Sequence, residues 1–456
     1  MAMQSLIDNP EELFKLINKC LKPKEIEKKQ FGEVFTPMNL INEMLDILPF
    51  EIWKDKNLKW FDPSTGIGNF QIVVYLRLME SLKNKIDNNK ERKKHILENM
   101  LYMCEINKKN VLLCKQIFDI NNEYNLHIYE GDTLKFEPLK IFKVDKFDII
   151  LGNPPFNRGD IKLQNKKIVS NKNETIWNKF VEKGFEWLKI NGFLLFITPL
   201  SWLKKSNPIH DLLLDKYIIW MKLTDNLKSR EIINADIPIS FFVLQNTQNK
   251  NKTKTNIISI MKRRNITITS TEFLNKKYSI PLAYHNIFNK LMDFIELNNL
   301  KIEYKTKTVK SIGNKMKIPN KYELLDMYAV ETFILKDGII VKKTIKNHPD
   351  ANKRKLIISN KSSFNGSFID DGKLSLTGGG KYYILGEKLE LILKLISFKI
   401  TNIICHYTKY GQDFLNSEAF TYLPDIRKLN INDIEEKEFY NLIKLTNDEI
   451  KLFIDL

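Results

Sequence analysis

An apolar run, Phe147 to Gly152, leads directly into Asn153-Pro154-Pro155-Phe156. The two prolines fix their own φ angles and remove two backbone donors, so the loop is stiff and its carbonyls can accept. That suits chemistry on an exocyclic aromatic amine, whose lone pair is delocalised into the ring. The Asn153 side-chain oxygen and the Pro154 carbonyl could accept its two hydrogens and favour a pyramidal nitrogen. Phe156 could stack on the ring that carries the amine and hold its angle. A plain strand-to-loop turn also uses Asn and Pro, so the surrounding segments have to decide.

Asp62-Pro63-Ser64-Thr65-Gly66-Ile67-Gly68-Asn69-Phe70 supplies a context, between a short apolar segment and a helical one. Gly66 and Gly68 allow close backbone approach to a ligand, as in a dinucleotide loop. The third glycine of a pyrophosphate fingerprint is missing, which suits an adenosyl ligand without phosphates. Asp62 could neutralise a cationic amino-acid end or a sulfonium. Glu105 closes Leu101 to Cys104, where a carboxylate would clamp a ribose diol, and Asp132 follows Leu126 to Tyr129. Asp132 could accept from an adenine amine. Singly, each acid reads as a solvated loop residue; in chain order behind the glycine loop they form a nucleoside-binding set.

These loops need a frame. From Phe31 to about Gln245, short apolar runs alternate with helical patterns. Strands are expected at Trp60-Phe61, Leu101–Cys104, Leu126–Tyr129, Phe147–Leu151, Phe193–Ile197, Ile218–Leu223 and Ile239–Leu244. Helices are expected at Met38–Ile47, Phe70–Asn84, Asn107–Phe118 and Thr175–Leu188. The fold class is α/β: a doubly wound, mostly parallel, Rossmann-like sheet, followed by a mixed α+β domain. The expected division is a helical lead-in over 1–30, a catalytic domain over 31–248 and a second domain over 256–456. The basic stretch QNTQNKNKTKT (245–255) reads as a linker or long hairpin loop.

Bulk properties restrict the rest. The 456 residues suit two domains, and the longest apolar stretch, Gly192 to Leu203, is too short to cross a bilayer. No signal-peptide pattern opens the chain, so the expected location is cytoplasmic, in a bacterium or a virus-infected host. Four cysteines without a C-x-x-C pair exclude a disulfide scaffold, and no metal site is expected. Lysine and arginine number 72 against 55 acids, a net charge of +17 that favours a polyanionic partner.

The ordered motifs resemble those of the DNA amino-methyltransferases that act on adenine N6, the gamma class, which includes TaqI-like and Eco57I-like modification enzymes. The resemblance runs motif by motif from Phe31 to about Leu244. It implies S-adenosylmethionine as cofactor and Asn153, Pro154, Pro155 and Phe156 as the catalytic loop. Phe35, Thr36 and Pro37, in FGEVFTP, are similar to the family's opening motif, which lies against the methionine moiety. Asp62, Ser64, Gly66, Gly68, Glu105, Ile106, Asp132, Thr133 and Asn153 fall at cofactor positions. Gly192 to Leu203 is similar to the segment bordering the target base, so Pro199 and Trp202 join Phe156 as expected pocket residues. Some relatives carry a second aromatic near Arg230 to Pro238; none is present here, and Ile232 or Ile233 is the expected wall. Enzymes methylating structured RNA or a release-factor glutamine share the catalytic loop, and a non-catalytic DNA-binding remnant is a further alternative. Asn153 in place of serine favours adenine over cytosine.

The resemblance implies target recognition for residues 256–456, with double-stranded DNA as partner, monomeric action and a companion endonuclease as a candidate. Basic clusters at Lys262-Arg263-Arg264, Lys315 and Lys317, Lys353-Arg354-Lys355 and Lys381-Tyr382-Tyr383 could serve phosphates. Pro349-Asp350 and Pro424-Asp425 start like a nuclease site but lack a convincing partner motif.

Overall fold

The computed structural model describes residues 6–20, 36–157, 175–248, 253–306, 328–334, 338–343, 348–358, 363–376, 381–411 and 415–454. The chain forms two compact units, Met1–Lys277 and Tyr278–Leu456.

The first unit is built on nine strands: β1 Trp60–Asp62, β2 Leu101–Glu105, β3 His127–Glu130, β4 Phe147–Gly152, β5 Leu188–Pro199, β6 Lys216–Thr224, β7 Ile239–Gln248, β8 Thr255–Met261 and β9 Ile266–Glu272. Their order is β3-β2-β1-β4-β5-β7-β6-β8-β9. Strands β1 to β5 pair in parallel, and β7 runs antiparallel between β5 and β6. The doubly wound, mostly parallel sheet expected from the sequence is therefore present. Burial of both faces explains why these strands read as short continuous apolar runs. In β1, Trp60 stacks on Trp53 at 4.8 Å, while Phe61 stacks on Phe147 at 4.4 Å and meets the edge of Trp187. Successive side chains of a strand point to opposite faces, so these two residues anchor the sheet's centre from both sides.

Two features went unforeseen. Helix Asn89–Asn99 (NKERKKHILEN) has little apolar periodicity; the Asn88 side chain caps it by accepting from the Lys90 and Glu91 amides. The 245–255 stretch does not join a hairpin, because β6 lies between β7 and β8 and pairs with both. The β8–β9 hairpin completes the same sheet, so the first unit runs past the expected boundary at 256 to Lys277. Alternating Ile and Thr in β9 gave no sign of which sheet would take the strand.

The second unit is α+β. Strands β10 Tyr328–Ile334, β11 Gly338–Lys343, β12 Arg354–Ile358, β13 Phe368–Asp371, β14 Leu374–Leu376 and β15 Tyr382–Leu385 form two three-stranded sheets, β11-β10-β14 and β13-β12-β15. Helices His285–Leu297, Leu389–Leu395, Lys399–Tyr407, Glu436–Leu442 and Asn447–Ile454 belong to the same unit. No helix among the described residues is long and apolar enough to cross a membrane.

Candidate active site

The loops leaving β1, β2, β3 and β4 gather at the carboxyl ends of the parallel strands, where open α/β sheets bind ligands. Asp62 ends β1 at 1% exposure, and its Oδ1 accepts from the Ser64 amide at 2.9 Å. Burial, opposed by the Ser64 amide and reinforced by the charge of Glu105, pushes the Asp62 carboxyl up to about 8. Glu105 accepts from the Gly66 amide through Oε2 at 2.8 Å and from the Asn107 amide through Oε1 at 2.7 Å. It therefore holds the glycine loop in shape as well as closing β2. Gly68 has φ +94°, and a Cβ there would lie 3.0 Å from Phe118. Its missing side chain lets helix Asn69–Ser81 begin against helix Lys108–Phe118. Thr133 ties the loop after β3 to the same place, its hydroxyl donating to the Pro63 carbonyl at 2.8 Å. The Asp132 carboxylate caps the turn Thr133–Lys135 by accepting from the Leu134 amide at 3.1 Å.

Thr36 joins this loop to the catalytic one. Its side chain and carbonyl are buried; the carbonyl accepts from Asn69 Nδ2 at 3.2 Å, and Oγ1 accepts from Asn153 Nδ2 at 3.3 Å. With its nitrogen directed at Thr36, the Asn153 amide presents Oδ1 as the acceptor for a substrate. Gly152 lets this loop pass close to β1: a Cβ there would come within 2.7 Å of Asp62 Oδ1. Pro154 is buried, while Pro155 and Phe156 are half-buried. The Phe156 carbonyl accepts from the Ile176 amide at 3.1 Å, and an antiparallel bridge pairs Asn157 with Thr175.

Thr36, Asp62, Gly66, Gly68, Glu105, Thr133 and Asn153 are thus linked through one set of contacts. Pro37 follows Thr36 and starts helix Met38–Leu45, and Ile106 stands exposed at 49% beside Glu105. Phe35 lies outside the described residues. Three expected pocket residues need correction. Trp202 is fully buried, its indole nitrogen donating to Ser240 Oγ at 2.8 Å. Ile233 is 3% exposed in the apolar core, with Ile232 packed against it. Pro199 is buried at the end of β5. None of the three offers a side-chain surface to a base, because β5, β7 and the flanking helices close over them. Sequence reasoning missed Asn69, Gly152 and the Thr36–Asn153 contact. A glycine ending an apolar strand was the available signal for Gly152; the contact spans 117 residues and leaves no local trace.

The basic clusters also need revision. Lys355 is fully buried and pairs with Asp370 at 2.5 Å. Arg354 pairs with Asp371 and Glu390, and Lys353 pairs with Asp350 at 2.7 Å. Lys381 is 2% exposed. Lys355 and Lys381 are thus buried away from any phosphate, while Lys353 and Arg354 are held in exposed ion pairs. Lys315 and Lys317 lie outside the described residues. The two nuclease-like acids are likewise structural: Asp350 accepts from Lys305, Lys353 and Tyr383, and Asp425 accepts from Arg427 at 2.7 and 2.8 Å.

The site can also be tested for a nucleoside cofactor bearing a cation. Ser64 Oγ and Asn69 Oδ1 are buried atoms with no hydrogen-bond partner among the described residues. Together with a buried carboxyl that has another acid as its charged neighbour, they fit a polar, cationic ligand at the glycine loop.

Strand order, glycine loop and acidic strand ends together define a Rossmann-like methyltransferase fold. Residues 71–230 match the family model described as Eco57I restriction-modification methylase. An adenine-specific methylase of Mycoplasma pneumoniae, itself uncharacterised, is 36% identical over 87 residues, covering 18% of this chain and 21% of that protein. The Type II restriction enzyme and methyltransferase RM.Eco57I of Escherichia coli is 24% identical over 249 residues, covering 41% of this chain and 25% of that protein. The chain thus spans about a fifth to a quarter of the length of these two relatives. Among solved structures, the Type IIL restriction-modification enzyme MmeI, determined in complex with DNA, is similar in fold at a TM-score of 0.50 and 12% identity. That likeness covers 88% of this chain and 69% of that one.

Proposed function

We propose that this chain transfers a methyl group from S-adenosylmethionine to N6 of an adenine flipped out of duplex DNA. The observation that carries the reading is the orientation of Asn153: its amide nitrogen is engaged by Thr36, and its oxygen is left for a substrate amine. Beside it, the Pro154 carbonyl supplies a second acceptor. Two acceptors on the two amine hydrogens localise the nitrogen lone pair, and the proton can leave once the nitrogen has become cationic. Phe156 stacks on the adenine, which leaves the helix at a cost of a few kcal/mol.

The residues suited to hold the cofactor are Thr36 and Pro37, Asp62 to Gly68, Glu105, Ile106, Asp132 and Thr133. S-adenosylmethionine, when bound, supplies the electrophilic methyl. Asp62 faces the cationic end of the ligand, Glu105 keeps the Gly66 amide in place, and Gly152 keeps the catalytic loop against Asp62. We assign target recognition to Tyr278–Leu456 and place the activity in the cytoplasm, as the modification part of a restriction-modification system or alone. A monomer and a companion endonuclease complete the reading.

The test uses unmethylated genomic DNA, S-adenosylmethionine and the purified chain, followed by nucleoside mass spectrometry. N6-methyldeoxyadenosine is expected with the wild type. Asn153→Ala should lose it by at least about a hundredfold, as when a donor or acceptor aimed at the reacting group is removed, while still binding cofactor. Methyl transfer to RNA or protein alone would keep the fold and overturn the substrate. No transfer and no cofactor binding would favour a DNA-binding remnant.

A further inference from the structure

We propose that Cys114 is a positioning residue for the cofactor: its thiol holds the Gly66 carbonyl inward and so turns the Ile67 amide toward the ligand. It rests on the S-adenosylmethionine reading above.

The glycine loop needs such a restraint. Gly66 sits at φ +57°, and a Cβ there would meet no atom beyond its chain neighbours within 4 Å. Nothing in the chain packs against that face, and without a Cβ of its own the residue has wide backbone freedom. Gly66 and Ile67 are half-buried, whereas Thr65 before them and Gly68 after them are buried.

Two side chains take up that freedom. Glu105 Oε2 accepts from the Gly66 amide at 2.8 Å, and Cys114 Sγ donates to the Gly66 carbonyl at 3.3 Å. The two are coupled. Glu105 Oε1 also accepts from the Asn107 amide at 2.7 Å, and the Asn107 side chain caps helix Lys108–Phe118, which carries Cys114. Loop, carboxylate and helix thus close a ring around one glycine. Cys114 is fully buried; burial, with the charges of Glu105 and Asp62, pushes its thiol up, so it stays protonated as a donor. A trans peptide is planar, with its carbonyl and the following amide on opposite sides. The Gly66 carbonyl faces Cys114, so the Ile67 amide points away from that helix. That amide has no hydrogen-bond partner among the described residues. An acceptor oxygen of the bound ligand completes it.

The experiment measures S-adenosylhomocysteine binding by calorimetry, and the melting temperature of the unliganded protein, for Cys114→Ser, Cys114→Ala and Cys114→Val. Serine keeps a donor, while alanine and valine remove it. Affinity should fall by about two- to fivefold in the alanine and valine variants, the lower part of the range for a neutral hydrogen bond, because a thiol donates weakly. The serine variant should stay within about twofold of wild type. Stability should follow a different order, with serine below valine, since a hydroxyl is costlier to bury than a methyl. An affinity order that tracks the melting temperatures overturns the proposal, and Cys114 is then packing beneath the loop. Should the variants not fold, the wild type serves: its Ile67 amide proton, followed by NMR, should move downfield on adding S-adenosylhomocysteine. An unmoved signal overturns the proposal as well. If the wild type binds neither S-adenosylmethionine nor S-adenosylhomocysteine, the cofactor reading fails first and the proposal with it.

Discussion

Asp62 in the first unit and Asp370 in the second are both buried, at 1% and 5% exposure, yet their surroundings are opposite. Asp370 has the Lys355 ammonium at 2.5 Å and accepts from the Lys373 and Leu374 amides. Nearby Asp350 would be raised by burial, but Lys353, Lys305 and Tyr383 outweigh that and hold it well below the ordinary carboxylate range. Asp62 is buried with the Ser64 amide, the Thr65 side chain and the charge of Glu105 around it, and burial above all pushes its carboxyl up to about 8. A buried acid matched by internal cations is structure. One with a second acid as its charged neighbour is held protonated to higher pH, and a cationic ligand beside it would favour its ionised form. The same residue type thus separates a braced region from the proposed binding one.

The largest effect should come from breaking the braced pair. Lys355→Met leaves Asp370 buried without its cation and should destabilise the chain by about 3–5 kcal/mol. Lys355→Met/Asp370→Asn removes both charges and keeps an oxygen for one of the two amides, so it should destabilise less than the single change. Thermal melts of the two variants decide the matter. If the single change is harmless, the charges in this unit are not bracing it and the comparison collapses.

At Asp62 the expectation reverses. Asp62→Asn should weaken cofactor binding by about 10- to 100-fold, the worth of a charged hydrogen bond of about 1.5–3 kcal/mol, without lowering the melting temperature of the unliganded protein. The pH dependence sharpens this. A folded value of about 8 against an unfolded 3.8 means that the protonated form stabilises the fold at low pH. That contribution shrinks as pH rises from about 4 through 8, and Asp62→Asn should remove the slope. A cationic ligand favours the ionised form, so binding at pH 7 should release up to one proton, seen as calorimetric heats that vary with buffer ionisation enthalpy. At pH 9 the variation should vanish. Buffer-independent heats at pH 7 would place the cation elsewhere.

The catalytic fold was legible because its signals are local. An apolar run into Asn153-Pro154-Pro155-Phe156, two glycines after Asp62, and acids closing successive strands each occupy only a few residues. What stayed hidden depends on distant partners. Trp202 and Ile233 flank site motifs in sequence but pack inward, since their neighbours in β7 and the core are set by the sheet. Lys353-Arg354-Lys355 reads as a basic patch until the acids at 350, 370, 371 and 390 are brought beside it. The β8–β9 hairpin follows a polar stretch that looks like a boundary, and only pairing with β6 shows it to be interior to the unit.

The smallest expected effect tests whether the site's own residues are poised for ligand as finely as the comparison implies. Thr36→Val keeps the β-branched shape and the carbonyl that Asn69 uses, and removes only the oxygen that Asn153 Nδ2 donates to. The Asn153 amide can then turn over and offer donors to an amine that needs acceptors. A neutral hydrogen bond contributes about 0.5–1.5 kcal/mol, so kcat should fall by about two- to tenfold. Cofactor affinity and melting temperature should hold within about twofold and a degree or two, respectively. Thr36→Ser, which retains the hydroxyl, should stay near wild type. If Thr36→Val weakens cofactor binding and stability together while kcat at saturation is untouched, Thr36 is a packing residue of the glycine loop, and Asn153 is oriented by something else.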